Sequence, residues 1–260
     1  MSSAQPEHDP PLAPPEPRKP LERSTARSAD EVVEPVAQEK LSDRNVTADG
    51  VTAPEAALPP CPDSQPITSW NNCIGSDRDA RGAATYTGAY GNGLRHGQGS
   101  LLWSSGERHE GQFVAGKIEG QGTRTWPNGE KYQGEFQDGR IHGHGTRVWA
   151  NGEKYIGPFK DGISDGQGTF IWPSGEQYTG QFSDGQIEGQ GTRTWPNGEK
   201  YVGDFKSGMM EGRGTYFWTH GEKYVGQWSN NMRHGLGIQY DAGGSIIYQG
   251  KWVSNAMHSE

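Results

Sequence analysis

The stretch YQGEFQDGRIHGHGTRVWANGE, Tyr132–Glu153, decides the fold because the chain repeats it at a fixed interval. A tyrosine returns every 23 residues, and the glycines of the stretch keep the same interval. The tyrosines of this series are Tyr132, Tyr155, Tyr178, Tyr201 and Tyr224, and the same step backwards reaches His109 and Tyr86. A regular interval of this size is typical of a repeat protein, in which each copy is one supersecondary unit.

One copy of the repeat predicts a β-hairpin. Alternation puts Tyr132, Gly134 and Phe136 on one face of a first strand. The segment DGRIHGH that follows is predicted to be a glycine-rich loop, and GTRVW, Gly145–Trp149, a second strand. The Trp-Pro-Asn-Gly sequence found in sister copies predicts a type I turn with a left-handed glycine.

Glycines have structural roles in this scheme. Gly134 removes a side chain between two aromatic residues, so an aromatic ring from the next strand is expected to lie across its backbone. Gly143 and Gly145 flank the predicted loop, and Gly152 closes the tight turn, where positive φ is cheap only for glycine. The tyrosines, phenylalanines and tryptophans at equivalent positions of successive copies are then expected to stack into one aromatic stripe.

Composition favours a thin sheet over a closed globule. Only 30% of the residues are hydrophobic, and 40 of 260 are glycine, whereas ordinary domains are about half apolar. The predicted fold class is all-β: an elongated single-layer antiparallel sheet of stacked 23-residue β-hairpins, preceded by a disordered proline-rich tail.

Three segments are predicted along the chain. Residues 1–60 hold 11 of the 17 prolines and no aromatic residue, which predicts a disordered tail. Residues 61–85 form a cysteine-bearing cap that supplies a half repeat. Residues 86–258 form the array, with six regular units, one irregular unit and one partial unit.

Cys61 and Cys73 leave two interpretations open. Two cysteines twelve positions apart allow one local disulfide and fall short of a four-ligand zinc site. Alternatively they are two free thiols in a reducing compartment. The chain starts without a secretory signal pattern and has no apolar stretch of spanning length, so a cytoplasmic location, with membrane association open, is expected; a disulfide would favour the cell envelope instead.

The repeated pattern resembles the MORN repeat (membrane occupation and recognition nexus). It is the Tyr-x-Gly-x-Phe of Tyr132–Phe136, then Gly143, Gly145 and Trp149, then Gly152 and Tyr155, and it covers about residues 73–258. The Cys-x11-Cys lead-in resembles that of bacterial MORN proteins. The resemblance implies stacked hairpins that act as scaffolds or as modules attached to enzymes, with lipid binding proposed for some members. His109 in place of tyrosine, the irregular seventh unit and Pro158 depart from the pattern.

The repeats predict no catalytic, metal-binding or cofactor-binding site. The repeated glutamates lie one hairpin apart, about 9.6 Å at two strand spacings, which is too far to share a proton or a metal. With lysines beside four of them, they are interpreted as a solvated face. Equivalent copies of one motif favour binding along a line over a single catalytic centre, so the chain is predicted not to be an enzyme.

One position of the repeat has two interpretations. It is occupied by Arg124, Arg147 and Arg193 in three of the copies. Alternation puts them on the face of the tryptophans, where they are either a partner-binding stripe or structural cation–π contacts. Pro158 interrupts another column, in the middle of a strand. It predicts either that this column makes no backbone ladder bond in any unit, or that its own unit contains a bulge.

The function predicted from the sequence is a non-enzymatic repeat scaffold for protein–protein interaction. Alternatives are a peripheral phospholipid-binding module or a targeting subunit for a separate enzyme. The net charge is −8, with −6 in residues 1–75 (12 acids, 6 bases) and −2 in residues 76–260 (20 acids, 18 bases), which argues against nucleic acid as a partner. The final strand, Ser245–Val253, is expected to be unpaired and to self-associate through Tyr248 and Trp252.

Overall fold

The computed structural model describes residues 58–79 and 82–258. Most of the segment predicted to be a disordered tail, residues 1–57, lies outside the described residues. The described chain divides between Lys131 and Tyr132 into two compact units. Both consist of antiparallel strands joined by short turns, which confirms the predicted all-β class.

The first unit is an antiparallel sheet in which each strand pairs with its neighbours in the chain. A single 3₁₀ turn, Ile67–Ser69, precedes it. Its strands are β1 (Cys73–Arg78), β2 (Ala84–Gly91), β3 (Leu94–Trp103), β4 (Arg108–Val114) and β5 (Lys117–Thr125).

The second unit is likewise built of antiparallel strands. Its first strand, β6 (Lys131–Gln137), begins at the boundary. The others are β7 (Arg140–Val148), β8 (Lys154–Lys160), β9 (Ile163–Ser164), β10 (Gly166–Ile171), β11 (Gln177–Ser183), β12 (Gln186–Thr194), β13 (Lys200–Lys206), β14 (Met209–Phe217), β15 (Lys223–Ser229), β16 (Met232–Tyr240), β17 (Ile246–Val253) and β18 (Ala256–His258).

The Trp-Pro-Asn-Gly turn forms as the sequence predicts. Gly129 adopts a φ of 86° and its N–H donates to the Trp126 carbonyl at 3.0 Å. The Asn128 side chain accepts the N–H of Glu130 at 3.0 Å. Asparagine side chains often bond the backbone two residues on in this way. The turn is therefore specified by three consecutive residue types.

The prediction of a glycine-rich loop in DGRIHGH is wrong. The connection is only Asp138 and Gly139, both left-handed with φ of 49° and 77°, as in a type I′ hairpin turn, and β7 starts at Arg140. Gly143 (φ 60°) lies inside β7. Gly143 allows a bulge within the strand. In the sequence, a glycine at a strand bulge cannot be distinguished from a loop glycine.

The bulge has the same form in successive hairpins. In the β11–β12 pair, Gly180 lies opposite Gly191, but the next registered pair is Phe182 with Ile187. Three residues of β12 therefore face the single residue Gln181. Equivalent register shifts follow Gly111, Gly203 and Gly226. Such bulges are specified by sequence and bend the strand locally.

Candidate functional site

The repeated tyrosines form the centre of the buried aromatic layer in their repeats. Tyr132, Tyr155 and Tyr178 have no exposed surface. Each hydroxyl donates to the carbonyl three residues later, as from Tyr178 to Gln181 at 3.1 Å. Burial raises the pKa of Tyr155 to about 12, so this phenol stays protonated and remains a donor.

Phenylalanine rings connect one tyrosine to the next. The Tyr155 ring meets Phe159 of its own strand at 5.0 Å and Phe182 of the next repeat at 4.8 Å, both edge to face. Tyr178 makes the corresponding contacts with Phe182 and Phe205 at 5.3 and 4.9 Å. Such pairs add about 0.5–1.5 kcal/mol each beyond area burial. The layer is thus a continuous internal packing surface.

Each tyrosine ring lies across a pair of glycines. A Cβ on Gly180 would lie 2.3 Å from the hydroxyl of Tyr178, and one on Gly191 would lie 2.4 Å from Cε2 of the same ring. Gly180 and Gly191 are directly opposed in the β11–β12 register. The ring therefore belongs to the same strand as the first glycine. The expectation that it comes from the next strand is wrong.

His109 takes the place of the second tyrosine of the series. It has no exposed surface and packs edge to face with Phe113 at 5.6 Å. Desolvation, and secondarily the nearby Arg124, lowers its pKa to about 4. The imidazole is therefore neutral at pH 7. It fills the space over Gly111 and Gly122, but it has no hydroxyl to reach the carbonyl of Gln112 as the tyrosines do.

The arginine column lies between tryptophan rings. The guanidinium carbon of Arg193 lies 5.0 Å from the Trp172 ring centroid and 5.5 Å from that of Trp195. Its side chain is only 3% exposed and pairs with Glu176. Arg124 repeats this arrangement with Trp103, Trp126 and Glu107, and Arg147 lies 5.2 Å from Trp149. For Arg193 the geometry is that of a structural cation–π contact, because its buried guanidinium presents little surface to a partner.

The repeated glutamates are not a solvated face. Their partners lie 17 residues later on the neighbouring hairpin. Glu176 bonds Arg193, and the Tyr216 hydroxyl donates to Glu199 at 2.9 Å. The Gln239 side chain likewise donates to Glu222 at 2.9 Å. The interpretation as a solvated face is wrong because it considers only the adjacent lysines. Alternation within a strand does not reveal a partner on the next hairpin.

A polar residue lies opposite the bulge and forms a hydrogen bond with it. Its side-chain oxygen accepts a backbone N–H from the bulged residues opposite, as Gln181 Oε1 does from Gln190 at 3.3 Å. The same bond joins Gln112 to Gln121, Glu135 to His144, Asp204 to Arg213 and Gln227 to Leu236 at 2.7–3.2 Å. The sequence suggested only outward-facing polar residues at these positions.

This bond cannot form in the repeat that contains Pro158. Proline has no side-chain acceptor, and the opposing strand is divided into β9 and β10 at Asp165. The N–H of Asp165 donates instead to the Pro158 carbonyl at 3.1 Å. Of the two predicted alternatives, the bulge in this repeat is present, since Thr169 lies opposite Ile156 and Ser164 lies opposite Phe159, but the same kind of bulge also forms in repeats without the proline.

The face opposite the tyrosine layer carries an uninterrupted row of β-branched residues in the second unit. Its members lie directly opposite one another from β8 through β10 to β16. This β-branched row is Ile156, Thr169, Thr179, Thr192, Val202, Thr215, Val225 and Ile238. Ile156, Val202 and Val225 are 38–39% exposed. No stripe of this kind was singled out from the sequence, although it is visible there as one β-branched residue beside each central glycine.

The family model for the MORN repeat matches seven consecutive copies, at residues 86–108, 109–131, 132–154, 155–177, 178–200, 201–222 and 224–246. These matches cover more than half of the chain. The protein belongs to the MORN-repeat family. MORN repeats are generally non-catalytic, and these copies give the chain the architecture of a repeat-based binding scaffold. Among the residues that the structure describes, no group of three or more His, Cys, Asp or Glu could hold a metal ion.

The chain is similar to two solved structures of CPAP domains. The SAS-4 (dCPAP) TCP domain of Drosophila melanogaster, in complex with a proline-rich motif of Ana2 (dSTIL), is 13% identical over 68% of this chain and 90% of that chain, with a TM-score of 0.40. The G-box domain of the microcephaly protein CPAP is 12% identical over 70% and 94%, with a TM-score of 0.44. No curated protein matches the sequence.

The cap of this MORN array contains a disulfide between Cys61 and Cys73. The N–H of Cys61 donates to the Ile74 carbonyl at 2.8 Å, and β1 lies along β2 with Gly75 opposite Gly88. The Trp70 ring lies against Gly75, where an added Cβ would come within 2.5 Å of it. The cap therefore covers the outer edge of the first hairpin and the end of its aromatic layer.

The C-terminal strand is not unpaired as predicted. Lys251–Val253 of β17 pair with β18, and Trp252 is 1% exposed, with the Arg233 guanidinium carbon 4.4 Å from its ring centroid. The Tyr248 hydroxyl donates to the His258 carbonyl at 3.0 Å. A second strand follows because Ser254-Asn255 adopts the left-handed turn found in the other hairpins. Trp252 thus belongs to the core.

No helix in the described part of the chain is long and apolar enough to cross a membrane.

Proposed function

We propose that this MORN protein is a non-enzymatic scaffold that binds a protein partner on the face opposite the tyrosine layer, within residues 154–240. The single observation that carries the proposal is the β-branched row, which leaves the apolar side chains of Ile156, Val202 and Val225 exposed on β8, β13 and β15. Exposed apolar area arranged in this way is typical of an interaction surface.

The other face supports the same choice. Its tyrosine and phenylalanine rings are buried against one another, and Arg193 is enclosed between two tryptophans. A partner would have to displace this packing to bind there. On the β-branched face, a partner can cover Val202 and Val225 without rearranging the sheet.

Quantitative capture from native lysate by the immobilised full chain tests the proposal. The double variant Val202→Glu/Val225→Glu should lose the retained protein, because two charges would be buried unpaired in the contact. Val114→Glu, at a position 49% exposed in the first unit, is the matched control and should retain it. Equal capture by all three proteins would contradict the proposal, provided that their circular dichroism and melting temperatures agree.

Sedimentation with phosphatidylcholine and phosphatidylserine vesicles addresses the lipid alternative. The β-branched row is uncharged, so we expect no saturable binding to either vesicle. If the vesicles carry the wild type down and the double variant stays in solution, the surface is a lipid contact and the protein-partner proposal fails. If the captured protein is itself an enzyme, the scaffold is its targeting subunit.

The disulfide supports the cell-envelope alternative for the location of the chain. Disulfides persist in oxidising compartments and are rare where glutathione keeps thiols reduced. Mass spectrometry of protein alkylated in denaturant from lysis onward should find neither Cys61 nor Cys73 alkylated. Two reactive thiols would return the expectation to the cytoplasm.

Self-association remains a proposal for the part of β17 that β18 leaves uncovered. Ile246 and Ile247 are 55% and 41% exposed there. Strand edges of this kind pair with second copies. Light scattering should show dimers in the wild type and monomers in Ile246→Lys/Ile247→Lys, and a wild-type monomer at about 100 μM, well above the usual Kd of weak dimers, would overturn it.

A further inference from the structure

Two rows of side chains bound a shallow furrow on the β-branched face. The backbone of Gly203, Gly214 and Gly226 forms its floor, and Val202, Thr215 and Val225 form one wall. The other wall consists of Gln190, Arg213, Gln227 and Leu236. Asp204, opposite Gln190, and Gln181, which accepts the Gln190 N–H, extend this wall along the sheet, and we call these six residues the glutamine row. We call the space between the two rows the glycine furrow. Because the three glycines lie on neighbouring strands, the furrow crosses the strands instead of running along them.

The amide groups of the glutamine row are held in one orientation. Oε1 of Gln227 accepts the N–H of Leu236 at 2.8 Å, and Oε1 of Gln181 accepts that of Gln190 at 3.3 Å. A backbone N–H can only donate, so the atom it meets must be the oxygen, and the Nε2 of each side chain is directed elsewhere. Both side chains are exposed. The wall therefore offers hydrogen-bond donors to an occupant.

The side-chain acceptors of Gln181, Asp204 and Gln227 in this wall are already engaged. The Asp204 carboxylate accepts the N–H of Arg213 at 2.7 Å and the side-chain amide of Gln190. The exposed guanidinium of Arg213 lies opposite Gln227 and adds further donors. An occupant that fits must be apolar and must supply mainly acceptors. Proline-rich backbone has this character, because proline has a carbonyl and no N–H.

The spacing of the furrow fits the same class of ligand. Gln181, Asp204 and Gln227 recur one hairpin apart, which is about 9.6 Å at two strand spacings. A polyproline II helix advances about 9.3 Å in its three-residue turn. A segment in this conformation would present the same face to each successive hairpin. Four strand spacings from Gln181 to Gln227 would accommodate about six of its residues.

We propose that the glycine furrow binds a partner segment in the polyproline II conformation, with a proline facing the floor at every third position. The segment belongs to a separate protein, so this inference rests on the proposed scaffold function and names the partner's chemistry. The β-branched wall packs on the proline rings, and the Nε2 groups of Gln181 and Gln227 donate to carbonyls of the segment.

Fluorescence anisotropy of fluorescein-labelled dodecaproline with the full chain tests this inference. We expect saturable binding below about 1 mM, the weak range of short peptides, and none for a Gly-Ser dodecapeptide. Gln181→Glu/Gln227→Glu should weaken binding at least about fivefold, because each change replaces a donor with an acceptor. The bulge bond should survive these changes, since Glu135 already makes it in a sister unit. Gln112→Glu in the first unit is the matched control and should bind as the wild type does.

Each outcome is decisive for one of the two proposals. Dodecaproline that does not saturate, or that binds the glutamate double variant as tightly as the control, overturns the proline-rich ligand in this furrow. If the Val202→Glu/Val225→Glu protein has nonetheless lost its lysate partner, the scaffold proposal stands with a ligand of another class. If lysate capture also fails to depend on this face, both proposals fall.

Discussion

The hairpins β4–β5 and β11–β12 are close copies with one difference in the core. The residues from Ile118 to Tyr132 are identical to those from Ile187 to Tyr201. Both hairpins form the same bulge and the same glutamate–arginine pair between tryptophans. One places His109 over its glycine pair and the other places Tyr178. The ring position therefore has two separable roles: filling space over the glycines and donating a hydrogen bond to the bulge.

The two arginines should give the largest difference between the hairpins. Arg193 is 3% exposed and Arg124 is 18% exposed. We expect Arg193→Ala to lower the free energy of unfolding by about 3 kcal/mol, because it removes a buried guanidinium from between two tryptophan rings and leaves the half-buried Glu176 carboxylate unpaired, and Arg124→Ala by about half of that. Urea denaturation followed by tryptophan fluorescence measures both. A loss of partner capture without a loss of stability would restore the binding interpretation of this column.

Substitution of the glycines beneath the rings is the next test. A Cβ at residue 191 would lie 2.4 Å from the Tyr178 ring, and at residue 122 it would lie 2.5 Å from His109 Cε1. We expect Gly191→Ala to cost about 3 kcal/mol by overpacking, and Gly122→Ala about 1–2 kcal/mol because the smaller imidazole can shift. Equal shifts of the urea midpoint would show that the backbone, and not the ring, decides the cost.

The histidine should make the first hairpin sensitive to acid. The pKa of His109 falls from 6.5 to about 4 on folding, through desolvation and then Arg124. Below pH 6.5 the unfolded chain therefore takes up a proton that the folded chain does not. The stability supplied by the neutral ring is complete above pH 6.5 and decreases by up to about 3 kcal/mol as the pH falls to 4.

Changing His109 to tyrosine should remove that dependence. The new hydroxyl should reach the Gln112 carbonyl and add about 1 kcal/mol at pH 7. Tyr178→His is the reciprocal variant and should create a second acid-sensitive hairpin. Urea midpoints between pH 4 and 7 compare the three proteins, and parallel pH profiles for wild type and His109→Tyr would contradict the assignment.

The smallest expected effect concerns the bulge. Pro158→Gln should restore the side-chain bond made by Gln112 and Gln181, gaining about 1 kcal/mol and joining β9 to β10. Gln181→Pro should interrupt β12 in return. Hydrogen exchange of the Asp165 and Gly166 amides should slow in the first variant, and unchanged exchange would mean that the proline is not what interrupts the strand.

The period and the alternation predicted the hairpins, the aromatic layer and the Trp-Pro-Asn-Gly turn, because these depend on residues within about one strand of each other. The glycine-rich loop was placed wrongly because Gly143 serves a bulge inside β7, which has the same residue preference as a loop. The partner of Glu176 was missed because it lies 17 residues away. A comparison of the residues 17 positions after each repeated glutamate would have identified both Arg124 and Arg193 as candidate partners.

The candidate surface was the least predictable part. Alternation placed the arginines correctly beside the tryptophans, but it could not show that Arg193 would be enclosed. The β-branched row depends on strand register, which the bulges shift by a fixed amount in each hairpin. The C-terminal edge was mispredicted because Ser254-Asn255 lacks the glycine that marks most of the other turns, yet it adopts the same left-handed conformation.

The opposed glycines also have a consequence for how such a chain changes its length over evolution. Gly168 lies opposite Gly180, and Gly191 lies opposite Gly203. Excision of residues 178–200 would therefore bring Gly168 opposite Gly203 with the tyrosine in its usual place. Recombination between copies in the coding sequence can thus add or remove a whole period without a new junction to optimise, and array length becomes a trait that selection can adjust in steps of 23 residues.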